Sequence, residues 1–387
     1  MRQLLTMNSK KLVLIPTRYC NFSCDHCGVK LSKNKDYISL SKVKKILKIA
    51  KLQRYEELFI TGGGEPTINW DKLIKILRLA KKYGLDTTLI TNGSFSLKDE
   101  GGRLRELRCV GLKNIKFSVD LFHLEFIPYR LLLKEIRCAL RLKMNVYLGM
   151  YFSKKNQGDT LKILKRIAGD LDGKLIKIPP LLDNSSKYVL LTKHGLVSVT
   201  FGRVERTEEN KGRSNFNFKR ITIERLLFKP HPPKAISVDL DGRISPCYSF
   251  NSINNPELYV LGHLDDKKVN NEFYVQDPFF YRIICDRLGF LKFFLRIRKD
   301  KELKDIFHNK IFYSKCDFCL LLLEYRERIM NLPSVSKSEI IKYLLFHFPY
   351  FIIGSLEGAY YEGVNYLAKK IRELLSHNFQ YSFERSR

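Results

Sequence analysis

Three cysteines fall within one short stretch, Cys20-Asn-Phe-Ser-Cys24-Asp-His-Cys27, giving the spacing Cys-x3-Cys-x2-Cys. A loop of that length can turn three thiolates toward one soft metal centre, and thiolates select zinc or iron–sulfur clusters. Three thiolates on a [4Fe–4S] cube leave one iron without a protein ligand, open to a small molecule. A zinc ion would instead take a fourth ligand, for which His26 is at hand. Zinc sites more often pair two Cys-x2-Cys knuckles, and no second knuckle lies nearby. A buried trio of core thiols is the third reading.

Other polar groups sit where short apolar runs end. Thr61-Gly62-Gly63-Gly64-Glu65-Pro66 closes one run, Thr91-Asn92-Gly93 the next, and Ser118-Val119-Asp120 another. Taken singly these are a tight turn, a turn asparagine and a helix cap. A second thiol constellation lies far along the chain: Asp241-Gly242-Arg-Ile-Ser-Pro246-Cys247, then Leu261-Gly262, then Cys316-Asp-Phe-Cys319. Cys285 lies between Ile284 and Asp286 of an amphipathic segment and is either a fourth ligand or a core thiol. Cys109 and Cys138 fall on apolar helix faces and read as core residues.

The elements that must position these groups alternate from the start. Leu12–Ile15, Leu58–Ile60, Asp86–Ile90, Asn114–Val119, Asn145–Tyr151 and Lys174–Ile178 read as strands, separated by helical patterns, the first opening near Ser41. Such alternation predicts an α/β fold with a parallel sheet, here a partial (β/α)6 TIM-like barrel over residues 8–185. Barrel chemistry sits at the C-terminal strand ends, and the cysteine loop, the Gly-Gly-Gly-Glu-Pro turn, Asn92 and Ser118/Asp120 all follow strands. A connecting segment at 186–230, with a linker at His231-Pro232-Pro233, leads to a small α+β extension at 231–330. That extension opens with a hairpin, Ala235–Asp239 and Arg243–Pro246, around Asp241-Gly242. A helical tail is expected at 331–387.

Composition bounds the function. The 387 residues carry 69 Lys+Arg against 40 Asp+Glu, a formal charge of +29, with 44% hydrophobic residues. That usage excludes wholesale disorder. The charge suits an anionic partner, whether phosphate, acidic peptide or a membrane surface, or else reflects a Lys-rich composition. The longest apolar run, Tyr343–Gly354, contains His347 and Pro349 and is about half of a spanning helix. Met1–Lys11 lacks a signal-peptide pattern. A cytoplasmic protein is expected, with reduced thiols. The basic, aromatic stretch Pro278–Lys299 has one apolar and one cationic face, fitting either a peripheral membrane contact or a helix covering its own core.

The cysteine loop after the first strand, together with Gly63-Gly64-Glu65-Pro66 after the second, resembles the radical S-adenosylmethionine (radical SAM) superfamily over roughly residues 10–180. The resemblance implies a [4Fe–4S] cluster held by Cys20, Cys24 and Cys27, with the amino and carboxylate groups of SAM on the remaining iron. It implies reductive cleavage of SAM to a 5′-deoxyadenosyl radical that takes hydrogen from an organic substrate. It places His26 near adenine, in a slot where the family commonly carries an aromatic residue. Gly63 and Gly64 would let the backbone approach SAM, Glu65 would accept from its ammonium, Asn92 would lie near the methionyl end, and Ser118 and Asp120 would bond the ribose. The later constellation resembles the SPASM or twitch extension, implying one auxiliary iron–sulfur cluster on Cys247, Cys316 and Cys319, with Cys285 a further candidate. The expected substrate is a peptide or small biosynthetic intermediate, with RNA or an anionic lipid as alternatives, and the expected electron donor a flavodoxin- or ferredoxin-type protein. A non-catalytic iron–sulfur carrier or SAM-binding regulator is the competing class. The resemblance names no catalytic side chain and no specific reaction.

Overall fold

The computed structural model describes residues 10–97, 101–153, 155–178, 186–204, 235–267, 269, 273, 289–310 and 315–347. The linker at 231–233, Cys285, all of 205–230 and the end of the tail lie outside the described residues. The chain divides into two compact units: one from residues 1–180, 184–219 and 232–284, the other from 181–183, 220–231 and 285–387.

The first unit is built on strands β1 (Lys11–Ile15), β2 (Glu57–Ile60), β3 (Asp86–Thr91), β4 (Asn114–Ser118) and β5 (Asn145–Phe152). Between them run helices α1 (Leu40–Leu52), α2 (Trp70–Lys82), α3 (Gly102–Cys109), α4 (Leu121–Leu124) and α5 (Tyr129–Arg141), with α6 (Gln157–Asp170) after β5. Alternate residues of each strand, such as Leu12 and Leu14 of β1 or Ile115 and Phe117 of β4, are completely buried. Each such side chain contributes about 1.5–3 kcal/mol of burial. The opposite, inner face carries Val13, Ile15 and Phe59 toward β1, and polar residues toward β4 and β5.

One strand assignment is corrected. The place beside β5 belongs not to β6 (Lys174–Ile178) but to β8 (Gly195–Arg203), which pairs parallel with β5 over Val146↔Val197 to Phe152↔Arg203. β6 pairs antiparallel with β7 (Ser186–Thr192), and β7 antiparallel with β8. The reason is chemical. A central parallel strand is covered on both faces; β6 carries Lys174 and Lys177 and is largely exposed, as suits an edge. β8 buries Val197, Val199 and Phe201 on alternate positions.

The predicted hairpin forms as β9 (Ala235–Asp239) and β10 (Arg243–Ser245), turning at Gly242 with φ +96°. It continues the same sheet, because β9 lies parallel to β1 with Lys11↔Ala235 through Ile15↔Asp239. The described sheet therefore runs β11-β10-β9-β1-β2-β3-β4-β5-β8-β7-β6, where β11 is Gly262–His263. Its seven central members, β9 to β8, are parallel. Two smaller expectations also shift. The cap of α1 is Ser39, whose Oγ accepts from the Lys42 amide at 3.3 Å, and Cys109 is exposed.

The second unit is helical. Leu291, Phe293, Leu295 and Ile297 of helix Gly289–Ile297 are buried, and that helix packs on Lys301–Asn309, Arg326–Asn331 and Lys337–His347 of the same unit. Arg328 clamps this unit, donating to Asp300 at 2.9 Å and to Glu302 at 2.8 Å. Among the described residues no helix is long and apolar enough to cross a membrane.

Candidate active site

The cysteine loop leaves the C-terminal end of β1 and folds back on itself, the Cys27 amide donating to the Cys24 carbonyl at 2.9 Å. Cys20, Cys24 and Cys27 form no disulfide; Cys24 is buried and the other two half-buried. Burial, then the Glu65 carboxylate and the Cys27 thiol, push the Cys20 thiol up to about 12. Burial, with Cys20, Asp120 and Cys27 close by, pushes Cys24 well above the ordinary thiol range. Three thiols on one loop with no disulfide among them are a donor set that fits a [4Fe–4S] cluster with one open iron.

The glycine turn after β2 docks this loop. The Gly64 amide donates to the Thr17 carbonyl and the Glu65 amide to the Tyr19 carbonyl, both at 2.9 Å. A Cβ on Gly64 would lie 1.9 Å from the Tyr19 oxygen, and one on Gly63, where φ is +70°, 2.6 Å from the Thr17 oxygen. No side chain fits at either position. The two glycines let backbone approach backbone, a requirement within the chain itself.

Glu65 is buried and both oxygens of its carboxylate accept hydrogen bonds. Oε1 accepts from the Thr67 amide (3.0 Å), the Thr67 hydroxyl (2.7 Å) and the Thr91 hydroxyl (2.7 Å), while Oε2 accepts from the Asn92 amide (2.8 Å). A carboxylate offers about four lone-pair sites, two on each oxygen; Oε1 is crowded with three donors, while Oε2 holds one and can accept another. Burial raises its pKa, against the pull of these hydrogen bonds. Asn92 is the counterpart after β3: its Oδ1 accepts from Ser94, and its amide nitrogen lies 3.2 Å from Asn21 Oδ1 and 3.7 Å from Cys20 Sγ. Glu65 and Asn92 thus tie the β2 and β3 loops to each other and to the cysteine loop.

At the end of β4 stand the two residues expected at a ribose. Ser118 ends the strand on the inner face, opposite Gly149. Asp120 is completely buried and caps α4: Oδ1 accepts from the His123 amide at 3.1 Å and lies 2.8 Å from His123 Nδ1, while Oδ2 accepts from the Tyr151 amide. Burial pushes its pKa up, but the His123 ring and these hydrogen bonds win and hold it below the usual carboxylate range. His26 stands in an aromatic group, its ring centroid 4.6 Å from Phe122, 5.1 Å from His123 and 6.0 Å from Tyr151. Burial takes its pKa down to about 4. Cys24, His26 and His123 also bring ligand atoms within 4.8 Å of one another, so the zinc alternative acquires His123 as well as His26.

Two participants went unseen in the sequence. His123 was marked only by lying three residues after Asp120, the reach of a cap. Asn254, in helix Phe250–Asn254, accepts from the Lys30 amide and donates to the Gly28 carbonyl, both at 2.8 Å. Arg18 pairs with Asp239 of β9 at 3.1 Å, so the segment after residue 235 grips the cysteine loop at two points. Cys247 follows β10, with its sulfur 3.6 Å from Ser249 Oγ, and Cys319 is buried in helix Lys315–Glu324. Cys285 and the side chain of Cys316 lie outside the described residues, so the auxiliary cluster rests on the sequence motif.

Comparison with known proteins agrees with this geometry. Residues 14–139 match the profile of the Radical SAM superfamily. A Fibrobacter protein called an S-adenosylmethionine-dependent nucleotide dehydratase is 31% identical over 97 residues, 23% of this chain and 29% of its own. A probable GTP 3′,8-cyclase of Saccharolobus solfataricus is 35% identical over 106 residues, 27% of this chain and 32% of its own. The chain thus matches less than a third of the length of either. The structure of native anSMEcpe with bound AdoMet is 13% identical, covers 83% of this chain and 98% of its own, and superposes with a TM-score of 0.50, so it shares the fold. A β1 loop with three thiols, a glycine turn docked on it and the matched profile lead to one domain: over residues 14–139 the chain carries a Radical SAM superfamily domain, and enzymes of that superfamily use a [4Fe–4S] cluster and SAM.

Proposed function

We propose that the chain is a radical SAM enzyme whose cluster is held by Cys20, Cys24 and Cys27 and which takes hydrogen from a peptide or small biosynthetic intermediate. The observation that carries this reading is the placement of three thiols, Cys24 buried and Cys20 and Cys27 half-buried, on one loop that Gly64, Glu65 and Asn92 fasten to the strand ends. When bound, the cluster and SAM supply one-electron reductive cleavage of SAM and hydrogen abstraction. The chain's own residues hold the loops in register and line the cofactor's surroundings with Asn92, Ser118 and His26. Glu65 and Asp120 fix the loops that carry those residues and, through Oε2 and Oδ2, each of which accepts one bond within the chain, remain the proposed acceptors for the SAM ammonium and the ribose.

The two relatives named for nucleotide substrates add nucleotides to the small intermediates considered. A flavodoxin- or ferredoxin-type donor supplies the electron. By the sequence motif alone, Cys247, Cys316 and Cys319 are proposed as ligands of an auxiliary cluster, read out as iron that a Cys20/Cys24/Cys27→Ala triple variant retains. The test of the main reading is SAM turnover: reconstituted, reduced protein should convert SAM to 5′-deoxyadenosine, and a carrier or regulator should not.

A further inference from the structure

Lys116 lies in the middle of β4, in register with Ile90 of β3 and Tyr147 of β5. Its neighbours Ile115 and Phe117 are completely buried on the helix side of the sheet, so by strand alternation Lys116 shares the inner face with Ser118. It stands one inner-face position below Ser118, about 7 Å along the strand from the end that faces the cysteine loop. Gly149 makes room for it: a Cβ there would lie 2.9 Å from Lys116 Cε. Its ammonium makes no hydrogen bond or ion pair with any described residue. The acids on the inner face below it are engaged elsewhere, Asp86 accepting from Asn114 at 3.0 Å and Glu57 pairing with Lys11 at 3.7 Å.

Lys116 is half-buried; desolvation, with no carboxylate near enough to offset it, lowers its pKa, and a partly desolvated ammonium gains from a counter-ion. Hydroxyl-bearing residues surround it on the same face: Ser118, Tyr147 and, by register on β8, Ser198 and Thr200. A cation flanked by hydroxyl donors is complementary to an anion.

We propose that Lys116 is an anion anchor on the inner face of the sheet, seating a carboxylate or phosphate group of the substrate below the cysteine loop. The proposal rests on the radical SAM reading for its meaning as a substrate site, but the anion site itself does not need cluster or SAM. Neither a neutral substrate nor a cationic one would satisfy Lys116.

The full reconstituted chain is pulse-labelled with acetic anhydride while inorganic pyrophosphate or glutarate is titrated in, and acetylation is mapped by peptide mass spectrometry. Lys113, exposed just before the same strand, is the internal control. Lys116 is expected to be protected saturably, at least tenfold, while Lys113 is unaffected. Protection by pyrophosphate identifies a phosphate-bearing substrate, protection by glutarate a carboxylate, and equal protection the shared anion chemistry. Protection at Lys116 no greater than at Lys113 with both anions overturns the proposal. Lys116→Met should bind the protecting anion about tenfold or more weakly by calorimetry, the loss of one charge-assisted hydrogen bond, and Lys116→Arg should restore it. If Lys116→Met does not fold, the labelling of the native chain still decides. Measuring 5′-deoxyadenosine on the same samples separates the two readings: protection without SAM cleavage removes the enzyme and keeps the anion site, and cleavage without protection does the reverse.

Discussion

At Glu65 a single carboxylate joins two loops through four donors, and its replacement has structural consequences before any at the cofactor. Glu65→Gln keeps the shape but turns an NH2 group toward donors that need an acceptor. Leaving such buried donors unmatched costs about 1–3 kcal/mol. Urea unfolding of the reconstituted protein should show a loss in that range, with SAM affinity falling in parallel. A variant as stable as the wild type would mean the carboxylate is not the tie described here. Gly64→Ala is the sharper change, because the new methyl overlaps the Tyr19 carbonyl. It should lose most of its iron after desalting even though every cysteine is present, and full iron retention would contradict the docking of the two loops. The Gly-Gly-Glu signature was legible in the sequence; its reason was not. Besides the proposed approach to SAM, both glycines lie against the backbone of Thr17 and Tyr19, residues brought there by the pairing of β1 with β2. Asp120 tells the same story: beside its bond to the ring of His123, its bond to the backbone of β5 depends on the pairing of β4 with β5, which its spacing in the sequence does not show.

On the scale of elements, the segment from β9 to helix Phe250–Asn254 acts as a brace for the cysteine loop. Asn254 bonds both sides of the Gly28–Lys30 backbone, and Lys42 of α1 reaches the Asp241 carbonyl at 2.6 Å. Asn254→Ala removes two hydrogen bonds worth about 1 kcal/mol each without touching a thiol. Iron release to a chelator should become several-fold faster while the fold, followed by circular dichroism, is unchanged; an unaltered release rate would show that the brace is incidental. The β-α alternation through β5 was legible because burial alternates along each strand while helices show one apolar face. The sixth parallel strand is not legible because Lys174–Ile178 and Gly195–Arg203 both carry β-branched residues at alternate positions. Only the pairing partner, with β8 beside β5 and β6 at the edge, distinguishes them. The hairpin at Asp241-Gly242 was legible from its turn residues, but its parallel seat on β1, which brings Asp239 to Arg18, depends on contacts more than two hundred residues apart.

For the molecule as a whole, the +29 charge draws in anions, and Lys116 gives one of those charges a specific place on the inner face. The apolar side of helix Gly289–Ile297 is buried in its own unit rather than offered outward, a packing outcome that periodicity alone does not separate from a membrane face. The central claim is that the cysteine loop is the seat of SAM chemistry. It is tested most directly by reconstituting the full chain anaerobically with iron and sulfide, reducing it with dithionite in the presence of SAM, and quantifying 5′-deoxyadenosine beside metal content. The wild type should form 5′-deoxyadenosine, and the Cys20/Cys24/Cys27→Ala variant should form none and hold one cluster's worth less iron. Formation of 5′-deoxyadenosine by the triple variant would contradict the account, as would a wild type that cleaves no SAM and instead holds zinc that His123→Ala releases.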